Sequence, residues 1–235
     1  MPPEILRFLI ANTKPNKAIE FDTGMGLVTL ADEYERTASR DFVTELNDES
    51  KSRRQKVQIE DAAGALNLSS VEAHEQAKGT DVSFRHLALL TQVKAEDEAV
   101  LESLQVNGEQ TEKLLERIHR MRYWISSDHF PDEMRIDIMT QPHREALLAL
   151  LPMQRSLLHP LLEQFHLCDW TSEGIMQAMK ACVDGHKDAS MRDVYRVAYA
   201  VFLGKEKGPR LAPILENCEK NEMMKLLSEC IEIIS

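Results

Sequence analysis

The stretch Phe202-Leu203-Gly204-Lys205-Glu206-Lys207-Gly208-Pro209-Arg210-Leu211 organises the C-terminal half of this chain. The apolar run before it predicts a helix that stops at Gly204, because glycine is favoured just past a helix end. The pair Gly208-Pro209 predicts the start of the next helix, since proline is favoured at a first helical position. The sequence therefore predicts a tight corner between two helices. Three cations lie on this corner: Lys205, Lys207 and Arg210.

The remaining sequence predicts an all-α protein. The chain has 235 residues, of which 43% are hydrophobic and only 6% aromatic, a mixture that favours helices packed on helices. Helical spacing of apolar residues begins at Leu27 and recurs in Thr111–Trp124 and Asn221–Ile234. Pro142 predicts a further helix start, and Gly64 predicts a helix break. Residues 19–22 alone alternate as in a short strand or extended segment.

The net charge, the lengths of the apolar runs and the cysteine spacing exclude several classes of protein. The net charge of −11 counts against a small autonomous nucleic-acid-binding domain but allows a local basic face on an acidic body. No apolar run approaches the roughly 18 residues of a membrane span, and the N-terminus has no signal-peptide pattern. The sequence predicts a cytoplasmic protein without a membrane partner. The four cysteines lack metal-ligand spacing, so no metal site is expected.

Four blocks occur in the order that they have in class I lysyl-tRNA synthetases, which the chain resembles. Lys14-Pro15-Asn16-Lys17 and Asp32-Glu33-Tyr34-Glu35-Arg36 favour this family over the related glutamyl enzymes. The resemblance implies a stem-contact remnant over residues 1–45, a polar helical connector over 46–80, and an α-helical anticodon-binding cage over 81–235. The blocks are Pro2–Arg36, Val82–Leu90, Arg120–Pro131 and Trp170–Leu215.

The chemistry of such an enzyme is absent from this chain. It has neither an HIGH-like motif nor a KMSKS-like loop, and no other catalytic motif is present. The resemblance places Met1 directly after the KMSKS-type loop of a longer enzyme. It implies that only the full-length enzyme binds ATP, and that this part has no catalytic residue and no cofactor. The partners that it implies are lysine tRNA and the enzyme's catalytic domain, and no DNA partner is expected.

Recognition of the anticodon stem-loop is the function that this resemblance implies. Lysine anticodons are rich in uridine, whose base presents O2, N3–H and O4 to polar and basic side chains, and unstacked bases also stack on aromatic rings. Arg192 and Arg196 are four residues apart and share a helix face. The candidate RNA-binding residues are Arg192, Arg196, Lys205, Lys207, Arg210 and Trp124.

Structural alternatives accompany each of these candidates. The glycines of the corner need only shape a turn, Arg210 can pair with a carboxylate, and Trp124 has the helical spacing of a core residue. The basic segment at residues 47–56 is either a solvated face or loop, or a contact to the RNA backbone.

Two other functions stay open at the level of sequence. A helical protein-interaction module would expose an apolar stripe along Asn221–Ile234. A standalone enzyme would need a deep pocket with converging polar groups.

Overall fold

A computed structural model describes residues 3–70, 82–105, 110–186 and 188–234. Throughout these ranges the regular secondary structure is helical and no β-strand occurs, so the predicted all-α class is confirmed. Residues 18–22 form an irregular lead-in to a helix. No helix within these ranges is both long and apolar enough to cross a bilayer.

The chain divides into two compact units, which are described separately. Unit 1 comprises residues 1–91 and 96–131, and unit 2 comprises residues 92–95 and 132–235. The functional regions predicted from the resemblance, 1–45, 46–80 and 81–235, stay a prediction. Up to residue 131 the helices are α1 (Pro3–Asn12), α2 (Met25–Ala38), α3 (Phe42–Asn47), α4 (Arg53–Ser69), α5 (Phe84–Val93), α6 (Asp97–Leu104) and α7 (Gln110–Ile125).

Unit 1 is built around the packing of α1 on α4 and α2. The buried ring of Phe8 meets Tyr34 edge-on, with 5.5 Å between ring centroids. Asp22 precedes α2 and caps its start, since its carboxylate oxygens accept from the backbone N–H groups of Gly24 at 2.8 Å and Gly26 at 2.6 Å. These contacts satisfy amides that a helix start leaves without partners.

Helix α4 runs through Gly64 without interruption, so the predicted break there is wrong. The helix begins with a capping box in which Ser52 and Gln55 satisfy each other's backbone amides. Its buried face includes Ile59 and Leu66. Cap and burial together outweigh the penalty of about 1 kcal/mol for glycine within a helix.

Unit 2 is a helical bundle whose centre holds the stacked rings of Phe165 and Phe202, 6.1 Å apart. Thr171 caps one helix, and Ser190 forms a capping box with Asp193 at the start of another. From residue 132 onward the helices are the 3₁₀ turn η1 (Asp132–Met134), α8 (Arg144–Leu148), α9 (Pro152–Ser156), α10 (Leu158–Leu167), α11 (Ser172–Asp184), α12 (Met191–Phe202), α13 (Leu211–Glu216) and α14 (Lys220–Ile234).

Two predicted helix starts differ from those observed. Helix α13 begins at Leu211, not at Pro209, because Arg210 has extended backbone angles (φ −57°, ψ 114°) and precedes the helix as its N-cap. Helix α8 begins at Arg144, after an N-cap at His143, and not at Pro142.

Candidate nucleic-acid interface

The predicted corner exists between α12 and α13, and Gly204 makes its bend. Gly204 has φ +60°, a left-handed conformation that residues with a Cβ rarely adopt. A Cβ there would also lie 3.1 Å from the Met139 Sδ and 3.1 Å from the His143 Cγ. The Met139 backbone N–H donates to the Phe202 carbonyl at 2.9 Å, which holds this second segment against the end of α12.

Tyr199 sets the path of the connector, residues 203–210. Its hydroxyl donates to the carbonyl oxygens of Pro209 at 2.8 Å and Gly208 at 3.2 Å. Its ring stacks on Tyr195, with 6.1 Å between centroids. Burial raises the pKa of Tyr199, and the neighbouring Tyr195 raises it further, so the phenol remains a donor at neutral pH. The connector is therefore fixed at both its bend and its exit.

Two of the five candidate cations on α12 and the connector hold carboxylates of the same unit. The Arg196 Nη2 lies 2.8 Å from the Glu206 Oε1, which ties α12 to the connector. The Lys205 Nζ lies 3.0 Å from the Asp137 Oδ2 and 3.4 Å from the Arg135 carbonyl. Glu206 and Asp137 are themselves largely exposed, so water screens both pairs.

The other three cations face solvent. Arg192, Lys207 and Arg210 are exposed, and no carboxylate of the described residues lies within salt-bridge distance of them. Asp193 follows Arg192 in sequence but is engaged by other groups. Hydrogen bonds from Ser190 and Gln154 are the main reasons that the pKa of Asp193 is lowered.

A second segment borders the corner, which we call its second wall, and nothing in the sequence predicts it. It is the irregular segment 135–143, which supplies Asp137 to Lys205 and the side chains of Met139 and His143 to Gly204. None of these residues has a periodicity or motif that indicates the contact, because the segment meets the connector only in the tertiary fold.

Trp124 lies in the core of unit 1, whereas the other five candidate residues belong to unit 2. It is 9% exposed, and its Nε1–H donates to the Thr23 carbonyl at 2.8 Å. Its ring packs against Phe84 at 5.3 Å and Phe130 at 4.8 Å between centroids. These contacts correspond to the core alternative for this residue. The exposed aromatic ring of α7 is the neighbouring Tyr123, at 79% exposure.

The basic segment at residues 47–56 is partly internally paired. The Lys51 Nζ contacts the Asp48 Oδ2 at 2.6 Å, whereas Arg53 and Arg54 are exposed on the first turn of α4. A contact of this segment with RNA stays a prediction. In the part of the chain that the structure describes, no three His, Cys, Asp or Glu side chains group as a metal ion would need.

The apolar side of α14 is buried within unit 2. Met223, Leu227 and Cys230 are at most 5% exposed, and of the larger apolar side chains of this helix Ile233 is the exposed one. The face that a partner helix would use is thus occupied by the protein's own core, which does not favour the protein-interaction alternative.

Comparison with known proteins adds the remaining evidence. No family model matches the chain. A lysine–tRNA ligase of Picrophilus torridus is 26% identical to it over 98% of this chain and 43% of the relative. Those of Thermoplasma volcanium and Thermococcus kodakarensis are 28% and 25% identical, over 94% and 97% of this chain. The chain spans about two fifths of the length of these curated relatives. Along nearly its whole length it is thus similar to part of a lysine–tRNA ligase, and the resemblance that its sequence blocks indicated is confirmed.

Proposed function

We propose that this chain binds the anticodon stem-loop of lysine tRNA at the corner between α12 and α13. The observation that carries the proposal is a series of five cations along α12 and the connector that follows it, in a chain whose net charge is −11. They are Arg192, Arg196, Lys205, Lys207 and Arg210. Cations placed against the overall charge of a protein mark a local site for an anion. The matched relatives are lysine–tRNA ligases, which makes tRNA the polyanion to test first.

The two sets of cations would have different tasks. Exposed Lys207 and Arg210 are free to follow phosphates, which position the RNA without reading its sequence. Arg196 and Lys205 are already oriented by Glu206 and Asp137, so their remaining N–H groups point in set directions. Oriented donors can distinguish one base edge from another, as base contacts must.

The rigidity of the connector supports binding without large rearrangement. The bend at Gly204 and the Tyr199 hydrogen bond to Pro209 fix the connector on either side of Lys207, and Arg210 directly follows the second of these points. A preorganised loop loses less conformational freedom when a ligand binds.

We further propose that the chain acts together with the catalytic part of a lysine–tRNA ligase. That part would use ATP and lysine, while the unit described here would grip the anticodon end. The chain matches only about two fifths of its relatives' length, so the activity of the whole enzyme lies beyond what it can supply alone.

Fluorescence anisotropy with a labelled lysine tRNA transcript tests the proposal. The control RNA is the same transcript with an exchanged anticodon, and both are titrated at two salt concentrations. We expect tighter binding to the lysine anticodon, weakening with salt as phosphate neutralisation requires. We expect Arg210→Ala to weaken the binding of both transcripts, since a phosphate contact is blind to sequence.

Equal binding to both transcripts would show that the corner does not read the anticodon. Absence of binding at low salt would overturn the proposal and leave the protein-interaction module as the alternative to pursue.

A further inference from the structure

The second wall of the corner places an imidazole beside the bend. His143 is the N-cap of α8, and its ring lies against Gly204, where a Cβ would come within 3.1 Å of its Cγ. The absence of a side chain at Gly204 is therefore what admits the ring to this position. Lys205 follows Gly204 in sequence, and its ammonium is held by Asp137 at 3.0 Å.

The capping contact determines which nitrogen of this ring carries the proton. The Ala146 backbone N–H donates to the His143 Nδ1 at 3.2 Å, and only an unprotonated nitrogen can accept. In a neutral imidazole the proton then resides on Nε2. The side chain is exposed, and the described part of the protein offers no hydrogen-bond acceptor to that Nε2–H.

The ring is also held in orientation. The cap to Ala146 fixes it from one side, and the contact with Gly204 and the end of α12 confines it from the other. A donor that is held in this way keeps its direction when a ligand arrives, so little freedom is lost on binding.

We infer that His143 reads one base of the bound anticodon loop, donating from its Nε2–H to the O4 carbonyl of a uracil. This inference rests on the proposed function. Cytosine carries an amino donor where uracil has O4, so a cytosine at this position would place two donors against each other. A site built to donate to an oxygen rejects a base that lacks the acceptor, because the bound base shields the donor from water and leaves it without a partner. His143 would thus distinguish uracil from cytosine at a single position.

The test uses two variants that separate capping from base reading. His143→Ser retains an oxygen that can cap α8 but removes the Nε2–H, because serine is among the preferred N-cap residues. His143→Ala removes both. The probes are an anticodon stem-loop with three uridines and the three stem-loops that each carry one U→C exchange, measured by anisotropy beside thermal unfolding of each protein.

We expect the unaltered protein to bind one of the three exchanged stem-loops about tenfold more weakly than the all-uridine stem-loop. His143→Ser should bind these two stem-loops within about twofold of each other while unfolding at an unchanged temperature. His143→Ala should lose the same preference and unfold at a lower temperature.

Three results would overturn the inference, and they differ in what they say of the proposed function. If His143→Ser keeps the tenfold preference, the histidine serves only as a helix cap and anticodon binding stands. If the unaltered protein binds the stem-loops but shows no preference at any position, base reading by His143 fails and RNA binding stands. If no stem-loop binds, both proposals fall.

Discussion

The Tyr199 hydroxyl oxygen lies 2.8 Å from the carbonyl oxygen of Pro209, across the full width of the connector. Two carbonyls share this donor, the second belonging to Gly208 at 3.2 Å. The hydrogen bond joins half-buried Tyr199 of α12 to the exit of the connector, so the position of Arg210 depends on this tyrosine.

Tyr199→Phe is expected to lower the free energy of unfolding by about 1 kcal/mol, the usual contribution of one hydrogen bond. Because Lys207 and Arg210 then lose a constraint, tRNA affinity should fall by about threefold. Tyr195→Phe is the matched control, since within the described residues its hydroxyl has no hydrogen-bond partner. Urea titration and anisotropy measure the two effects. Equal behaviour of both variants would remove the role assigned to Tyr199.

Two glycines should respond in opposite directions to alanine. Gly204→Ala forces a Cβ into a left-handed conformation and against Met139 and His143, and should destabilise the protein by about 1–2 kcal/mol or more. Gly64→Ala meets nothing within 4 Å in the middle of α4, and should stabilise it by about 0.5–1 kcal/mol. The measurement is urea unfolding followed by circular dichroism. A stabilising Gly204→Ala would contradict the described bend.

The cap of α2 predicts a pH-dependent contribution to stability. The backbone N–H groups of Gly24 and Gly26 hold the pKa of Asp22 below its ordinary value of 3.8. A carboxylate with a lowered folded-state pKa stabilises the fold fully above its ordinary pKa, and this contribution is lost as the pH falls through the lowered value. Asp22→Ala should therefore be less stable than the unaltered protein at neutral pH, with the difference shrinking in acid.

Unfolding free energies at about pH 7 and about pH 3 check the Asp22 prediction. Asp128→Ala, which removes another exposed carboxylate of unit 1, is the control variant. A stability difference that stays constant with pH would mean that the charge of Asp22 does not cap the helix.

The salt dependence of tRNA affinity should show how many phosphate contacts the connector cations make. Each of Lys207→Ala and Arg210→Ala is expected to reduce the slope of log affinity against log salt by about 1, because one fewer counterion is released. Lys225→Ala on α14 is the control; its ammonium is exposed, lies 3.8 Å from Glu229, and is not on the corner. If Lys225→Ala changes this slope as much as Arg210→Ala does, the RNA does not bind at the connector.

The four free cysteines should resist thiol reagents in the folded protein. Burial raises the pKa of Cys182, Cys218 and Cys230 to about 11 and raises that of Cys168 as well. The thiolate is the reactive form, so its population at neutral pH is small. Ellman's reagent should react slowly with native protein and with four thiols in urea. A thiol that reacts within seconds in the native state would contradict the described burial.

Periodicity predicted the helices well because burial of one face dominates their formation. The apolar spacing within Thr111–Trp124 indicated α7, whose buried stripe includes Ile118 and Met121. The same periodicity allowed Trp124 to be interpreted as a core residue. Tyr123, its neighbour in sequence, lies on a different face of the helix and is exposed.

Features that depend on tertiary contacts had no sequence signal. Pro209 is a good first helical residue, yet its carbonyl is drawn to Tyr199 and the helix starts two residues later. Gly64 is a plausible break, yet packing of α4 carries the helix across it. The approach of segment 135–143 to Gly204 joins residues more than 60 positions apart, so neither spacing nor propensity could indicate it.

The ion pairs of Arg196 with Glu206 and of Lys205 with Asp137 have a consequence for how the cations would divide the RNA between them. A carboxylate that stays beside a cation partly neutralises its charge, so Arg196 and Lys205 would attract a phosphate less strongly than Lys207 and Arg210. Under the proposed function, the two carboxylates would thus keep phosphates away from the cations that contact bases.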